Sequence, residues 1–359
     1  MSSTQNLAAR VVAWQAKHGR HHLPWQQERT PYRVWLSEIM LQQTQVTTVI
    51  DYYQRFLERF PTVADLASAT QDDVMPYWAG LGYYARARNL HRCAQQVMNE
   101  HGGSFPPCSE QLATLPGIGR STAAAIASFC FGERSPIMDG NVKRVFTRYF
   151  GIHGHPQQRQ IELKLWGLAE EAVACSPADL DMAVYTQGLM DLGSMLCTRS
   201  KPNCAQCPLV ADCYAHAHQQ TAELPTRKPR AVQPERECHV LILEADGHVL
   251  LEQRPDSGIW GGLWTLPQFE HLEGLQDFSQ SLAITLPAQS RMAAMLHVFS
   301  HFKLHITPWF VQRAELPTQH DNQHWVAIED LPDTALPAPI RKLLDGLYPS
   351  PETELATLF

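Results

Sequence analysis

No stretch of the 359-residue chain approaches the roughly 18 consecutive apolar residues of a membrane-spanning helix. A membrane is therefore not an expected partner. Met1–Arg10 lacks the apolar segment of a secretory leader, so an intracellular location is expected. Charge is sparse at 18% and hydrophobic residues are ample at 44%, which together exclude a disordered chain. Internal repeats and low-complexity tracts are absent, excluding a solenoid. A disulfide framework is missing too. Of nine cysteines, Cys93, Cys108, Cys130, Cys175 and Cys238 are scattered, while Cys197, Cys204, Cys207 and Cys213 are clustered. Clustering in an intracellular chain favours metal binding. Finally, a basic excess is lacking, since the net charge is −7. The deficit is uneven: residues 1–230 sum to +3 and residues 231–359 to −10. Contacts with phosphate are thus expected in the first part, and they must rest on local motifs.

What is present divides the chain into two or three domains. Apolar positions recur at helical spacing over Pro31–Phe60, Ala85–Glu100, Val142–Phe150, Gln157–Cys175 and Asp179–Met195. Around Leu224–Gln233 the chain turns Pro-rich, basic and aperiodic, the texture of a linker. Beyond it, Cys238–Glu244 and Gly247–Arg254 read as paired strands, His297–Ile306 as another, and Leu275–Leu282 and Ile340–Leu347 as short helices. The expected organisation is an all-α region over 1–220, a linker over 221–235, an α+β domain over 236–350 and a tail over 351–359.

Three local features carry chemistry. Leu115-Pro-Gly-Ile-Gly-Arg-Ser-Thr-Ala123 places Gly117 and Gly119 between two helices, exposing backbone N–H groups at a helix start where a phosphate can dock. Asp139 follows Gly119 by twenty positions, just ahead of another helix; taken alone, it is equally an N-cap or an Asp-Gly turn. Glu38 sits in Trp35-Leu-Ser-Glu-Ile-Met-Leu-Gln-Gln-Thr-Gln45 among apolar neighbours, where a buried carboxyl would stay protonated; a solvent-facing helix position is the other reading. The cysteines run Cys197-x6-Cys204-x2-Cys207-x5-Cys213, unlike the paired short knuckles of zinc fingers. Four soft thiolates suit a 4Fe-4S cluster, with zinc or free thiols as alternatives.

The nonapeptide followed by Asp139 resembles the helix-hairpin-helix DNA glycosylase superfamily, and the Glu38 segment resembles its adenine-specific branch. The cysteine spacing is similar to the iron–sulfur loop of the same enzymes, and residues 236–350 resemble the Nudix pyrophosphatases. The resemblance implies a multidomain fold, an all-α helix-hairpin-helix core with an iron–sulfur loop at 197–213 plus a C-terminal α+β Nudix-like domain. It implies a cytoplasmic enzyme associated with the nucleoid of a bacterium, acting as a monomer on double-stranded DNA containing A:8-oxoguanine or A:G mispairs.

It also implies roles for individual residues. Glu38 would protonate the departing adenine and Asp139 would stabilise charge on the deoxyribose, with Asn141 orienting Asp139 and Gln187 meeting the base. Ser121 stands where endonuclease III-like lyases place a lysine, so water is the implied nucleophile. Gln42, Gln43, Thr44 and Tyr83 would occupy the disrupted pair, Gly117 and Gly119 a phosphate, and Lys143 a phosphate or an abasic aldehyde. Cys197, Cys204, Cys207 and Cys213 would hold the 4Fe-4S cluster. Phe299, Ser300 and His301 match the loop that touches 8-oxoguanine on the opposite strand. The C-terminal half lacks the Arg-Glu-x-x-Glu-Glu helix with which Nudix enzymes bind magnesium, so it is not expected to hydrolyse diphosphates. The competing functions are an oxidised-pyrimidine glycosylase and lyase, which Ser121 disfavours, and a non-catalytic lesion-binding protein, which needs no Glu38–Asp139 pair.

Overall fold

The computed structural model describes residues 6–228, 232–317 and 320–349. The expected tail, the start of the N-terminal stretch and part of the linker lie outside the described residues. Contacts divide the chain into two compact units, Met1–Ala69 with Arg88–Pro229 and Thr70–Ala87 with Arg230–Phe359. The division at Pro229/Arg230 falls inside the segment read from sequence as a linker, 221–235, but one helical segment departs from that organisation. Thr70–Ala87 groups with the C-terminal half, where Gln71 donates to Asp256 Oδ1 (3.2 Å) and Gln253 to Asp72 Oδ1 (2.9 Å).

The first unit is helical: α1 (Leu7–His18), α2 (Pro31–Met40), α3 (Val46–Arg59), α4 (Ala85–His101), α5 (Ser109–Leu112), α6 (Arg120–Phe131), α7 (Gly140–Tyr149), α8 (Arg159–Ala174) and α9 (Met182–Asp191). Local chemistry sets their ends. Thr30 caps α2 by accepting from Arg33 N, and Pro31 supplies the preset φ of a first helical turn. The Pro31–Phe60 periodicity is broken after Met40, where Gln43 adopts φ +60° and splits the block into α2 and α3. Asp181 caps α9, and Gly132 at φ +67° ends α6.

Close packing uses small residues. Ala124 and Ala125 of α6 are buried with Val142 and Phe146 of α7 and Tyr185 and Leu189 of α9. A Cβ at Gly188 would stand 2.7 Å from Val11, so α9 lies against α1 only because position 188 has none. After α9 the chain widens into a π-turn, Leu192–Leu196, closed by Cys197 N donating to Leu192 O at 2.7 Å. That turn delivers Cys197 beside α7.

The second unit holds a seven-stranded mixed sheet, in the order β3-β2-β1-β6-β5 with β4 on β1 and β7 on β2. The strands are β1 (Glu235–Ala245), β2 (His248–Gln253), β3 (Trp264–Thr265), β4 (Gln268–Phe269), β5 (Met295–Val298), β6 (Lys303–Arg313) and β7 (Gln323–Ala327). β1 and β6 pair in parallel from Glu235↔Lys303 to Ala245↔Arg313, and the other pairs are antiparallel. Leu241, Leu243, Leu250 and Trp309 build a core completed by Leu275 of α10 (Leu272–Ser281), and α11 (Ala338–Leu347) follows the sheet. The single strand expected over His297–Ile306 is instead a hairpin. Phe299 N donates to Phe302 O (2.9 Å), and Val298 pairs with Lys303. The alternation breaks at Ser300 and His301, both exposed, while Phe299 and Phe302 stack on one another across the turn, ring centroids 4.4 Å apart.

Candidate active site and cysteine loop

Elements of the helical unit meet at a cavity of ≈ 40 Å³ lined by Arg20, Trp25, Gln26, Arg29, Glu38, Phe129, Gln187 and Met190, among others. Glu38 projects into it from α2. Burial is the main cause that pushes its carboxyl up to about 8, and the negative charge of Asp139 adds to it. The two carboxyls named from sequence are therefore neighbours, brought from segments a hundred residues apart.

Asp139 is both the N-cap of α7 and a functional candidate. Its Oδ1 accepts from Val142 N (2.7 Å) and its Oδ2 from Asn141 Nδ2 (3.2 Å). Burial raises its pKa, and these hydrogen bonds together with the Arg144 charge oppose the rise. Glu38 has no such set of opposing donors, so Asp139 is the carboxyl that carries the charge of the pair. Ser121 Oγ accepts from Met138 N at 3.0 Å, tying the start of α6 to the residue before Asp139.

The other expected residues fall as follows. Gln187 is buried at the pocket and donates to Asp191 Oδ1 (2.9 Å), which Arg20 also holds. Gly117 takes φ +76° and stands so near Asn89 that a Cβ there would lie 2.8 Å from that residue's Cβ; Gly119 is the N-cap of α6. Lys143 Nζ is held by Glu162 Oε1 of α8 at 2.6 Å. Gln42, Gln43 and Thr44 form the turn after α2, with Gln43 exposed. Tyr83 belongs to the second unit and is 46% exposed at φ +51°, a left-handed backbone rare for a non-glycine residue. Arg86 braces that turn by donating to Leu81 O and Gly82 O, with Tyr83 and Trp78 beside its guanidinium. Also in the second unit, Ser300 and His301 are exposed and Phe299 is half-buried.

All four clustered cysteines line one cavity of ≈ 30 Å³, walled by Leu196, Val210 and Arg148. Among the described residues, no group of three or more His, Cys, Asp or Glu is placed to hold a single metal ion. The four thiols nevertheless line one space, and soft sulfur donors of this kind suit an iron–sulfur cluster.

Sequence reasoning missed several residues. Arg148, only 2% exposed, donates to Cys197 Sγ (3.3 Å), Thr198 O (2.7 Å), Arg199 O (3.1 Å) and Leu224 O (2.8 Å). Arg144 bridges Asn141 Oδ1 (2.9 Å) to Cys197 O (2.7 Å) and Gly193 O (2.8 Å). Both lie one and two turns beyond Asp139, a spacing that could have flagged them. Gln26 accepts from Leu23 N, while its buried Nε2 has no hydrogen-bond partner at the pocket wall. Only the fold reveals that orphan.

The shifted Glu38 makes stability depend on pH. Unfolded, the group ionises near its ordinary 4.5; folded, near 8. Its contribution is fully present below 4.5 and is lost as pH rises through the folded value. Glu38→Gln should therefore melt close to wild type at about pH 5 and higher than wild type at about pH 8.5, the gain reaching a few kcal/mol. Thermal unfolding at both pH values checks this, and a difference that ignores pH contradicts it.

Comparison with known proteins agrees with this geometry. Residues 36–171 match the HhH-GPD superfamily of base excision DNA repair proteins, and residues 238–346 match the NUDIX domain. The adenine DNA glycosylase of Buchnera aphidicola subsp. Acyrthosiphon pisum is 35% identical over 94% of this chain and 96% of its own. The human adenine DNA glycosylase is 35% identical over 82% of this chain and 64% of its own. A solved thermostable thymine-DNA glycosylase is similar to the helical part, with a TM-score of 0.54 and 27% identity, covering 60% of this chain and 97% of that one. With identity sustained over nearly its whole length, the chain belongs to the adenine DNA glycosylase family and is a DNA glycosylase of base excision repair.

Proposed function

We propose that this enzyme, acting as a monomer on double-stranded DNA, hydrolyses the N-glycosidic bond of adenine mispaired with 8-oxoguanine or guanine. The observation that carries the reading is the Glu38 carboxyl, pushed up to about 8 by burial and by its neighbour Asp139, whose own carboxylate accepts from Val142 N and Asn141 Nδ2. Adenine leaves poorly as an anion. Glu38 gives its proton to a ring nitrogen of the extruded base as the bond from the base to C1′ breaks, and the electron pair departs with neutral adenine. The Asp139 carboxylate stabilises the positive charge left on the sugar, the two-carboxylate logic of glycoside hydrolysis. Glu38, now ionised, accepts a proton from the water that attacks C1′, which restores the acid. The unpartnered Gln26 amide and Gln187 are placed to read the edge of the base.

Water is the nucleophile because Ser121 offers no amine and Lys143 is engaged by Glu162. Gly117 and Gly119 present backbone N–H groups to a phosphate, Lys143 contacts a phosphate, and Gln42, Gln43, Thr44 and Tyr83 take up the space of the disrupted pair. Phe299, Ser300 and His301 read the opposite base. Cys197, Cys204, Cys207 and Cys213 would hold a 4Fe-4S cluster, which would cross-link the 197–213 loop. Arg144 and Arg148 of α7 donate to Cys197 O and Cys197 Sγ in that loop.

An excision assay on A:8-oxoguanine, A:G and thymine-glycol duplexes tests the reaction. The enzyme should release adenine from the first two, spare the third, and leave abasic strands intact until alkali is added. Glu38→Gln should bind the A:8-oxoguanine duplex yet excise about 10²-fold or more slower. Wild-type rates in that variant, or stoichiometric strand cleavage without alkali, would overturn the mechanism. Metal analysis tests the loop separately: a brown protein with about four irons per chain is expected, and zinc alone would refute it.

A further inference from the structure

We propose that Gln233 is a positioning residue that sets discrimination between 8-oxoguanine and guanine, by clasping the turn that bears Ser300 and His301. The inference deepens the proposed role of Phe299–His301 and rests on it. Gln233 lies at the end of the segment read from sequence as a linker, two residues before β1. Its side-chain amide donates to two successive carbonyls of the β5–β6 turn, Phe299 O and Ser300 O, each at 3.2 Å. One NH₂ group has the two hydrogens this requires. The backbone adjoining Gln233 is itself docked, since Lys303 N donates to Pro234 O at 2.9 Å.

Beneath the clasp the turn rests on an aromatic base. Phe299 stacks on buried Phe302 and meets His297 edge-on at 4.5 Å, while the Arg236 guanidinium lies 4.8 Å over the Phe302 ring. Rings fix the inner side of the turn, and Gln233 fixes its carbonyls. Ser300 and His301 are left exposed, with Ser300 Oγ 3.3 Å from His301 Nδ1. A turn held in one conformation binds its ligand without paying an ordering cost. Loosening it should tax the contacts made to the opposite base and leave adenine release by Glu38 and Asp139 untouched.

The isosteric Gln233→Glu replaces both donors with an acceptor facing two carbonyls, and Gln233→Met removes them without adding charge. Either change should lower the ratio of kcat/KM for A:8-oxoguanine over A:G about tenfold, of the order of two modest neutral hydrogen bonds. Excision from A:G at saturating enzyme should be unchanged, and amide exchange at Ser300–Phe302 in the free protein should speed up in both variants. An unchanged ratio overturns the proposal, as does an effect seen in Gln233→Glu alone, which would reflect charge. His301→Ala in the same assay separates the two levels. If it lowers the ratio while the Gln233 variants do not, the loop reading stands and the clasp fails; if it does not, both fall.

Discussion

The pocket is organised around a single electrostatic constraint: two carboxyl groups share a space too dry for two negative charges. Desolvation penalises ionisation of both Glu38 and Asp139, and ionising one makes ionising the other harder. The tie is broken by hydrogen bonding. Asp139, at the start of α7, receives the Val142 amide and the Asn141 side chain and lies near the Arg144 charge. Glu38, buried and with no opposing hydrogen bond among the causes of its shift, keeps the proton. An acid and an anion thus stand side by side at neutral pH, using nothing more exotic than an N-cap and a dry helix face.

The rest of the helical unit keeps that pair in register. Ser121 Oγ accepts from Met138 N, so a hydrogen bond ties the start of α6 to the residue before the Asp139 carboxylate. On the other side, Arg144 links Asn141 to the carbonyls of Gly193 and Cys197, and the π-turn that carries Gly193 packs so closely that a Cβ there would stand 2.6 Å from that of Asn141. Arg148 continues the connection to the cysteine loop. A short chain of hydrogen bonds thus joins the cysteine loop to Asp139 through Arg144 and Asn141. In the sheet unit, Phe299–Phe302 is held by ring stacking and by an amide from the approach to β1.

Much of this was legible in sequence because the chemistry is concentrated in short local strings. The Glu38 segment and the cysteine spacing each named residues that line a cavity, Asp139 is an electrostatic neighbour of Glu38, and Ser121 of the Leu115–Ala123 turn hydrogen-bonds the residue before Asp139. What escaped depends on tertiary placement. The orphaned Gln26 amide, the burial of Arg148 and the pairing of Lys143 with Glu162 involve partners that periodicity does not connect. Alternation misled at His297–Ile306, where it breaks at the adjacent exposed Ser300 and His301 and Phe299 stacks on Phe302 across the turn. Composition likewise marked the linker as idle, although its last residues grip the β5–β6 turn.

The central claim is that Glu38 holds its proton at neutral pH because it is buried beside a charged Asp139. Titrating the Glu38 side chain directly, by carbon-13 NMR of labelled glutamate in the intact protein, measures it. The account predicts a midpoint near 8, and a lower one, still above the ordinary 4.5, in Asp139→Asn. A wild-type midpoint at the ordinary value, or one that Asp139→Asn leaves in place, would contradict it.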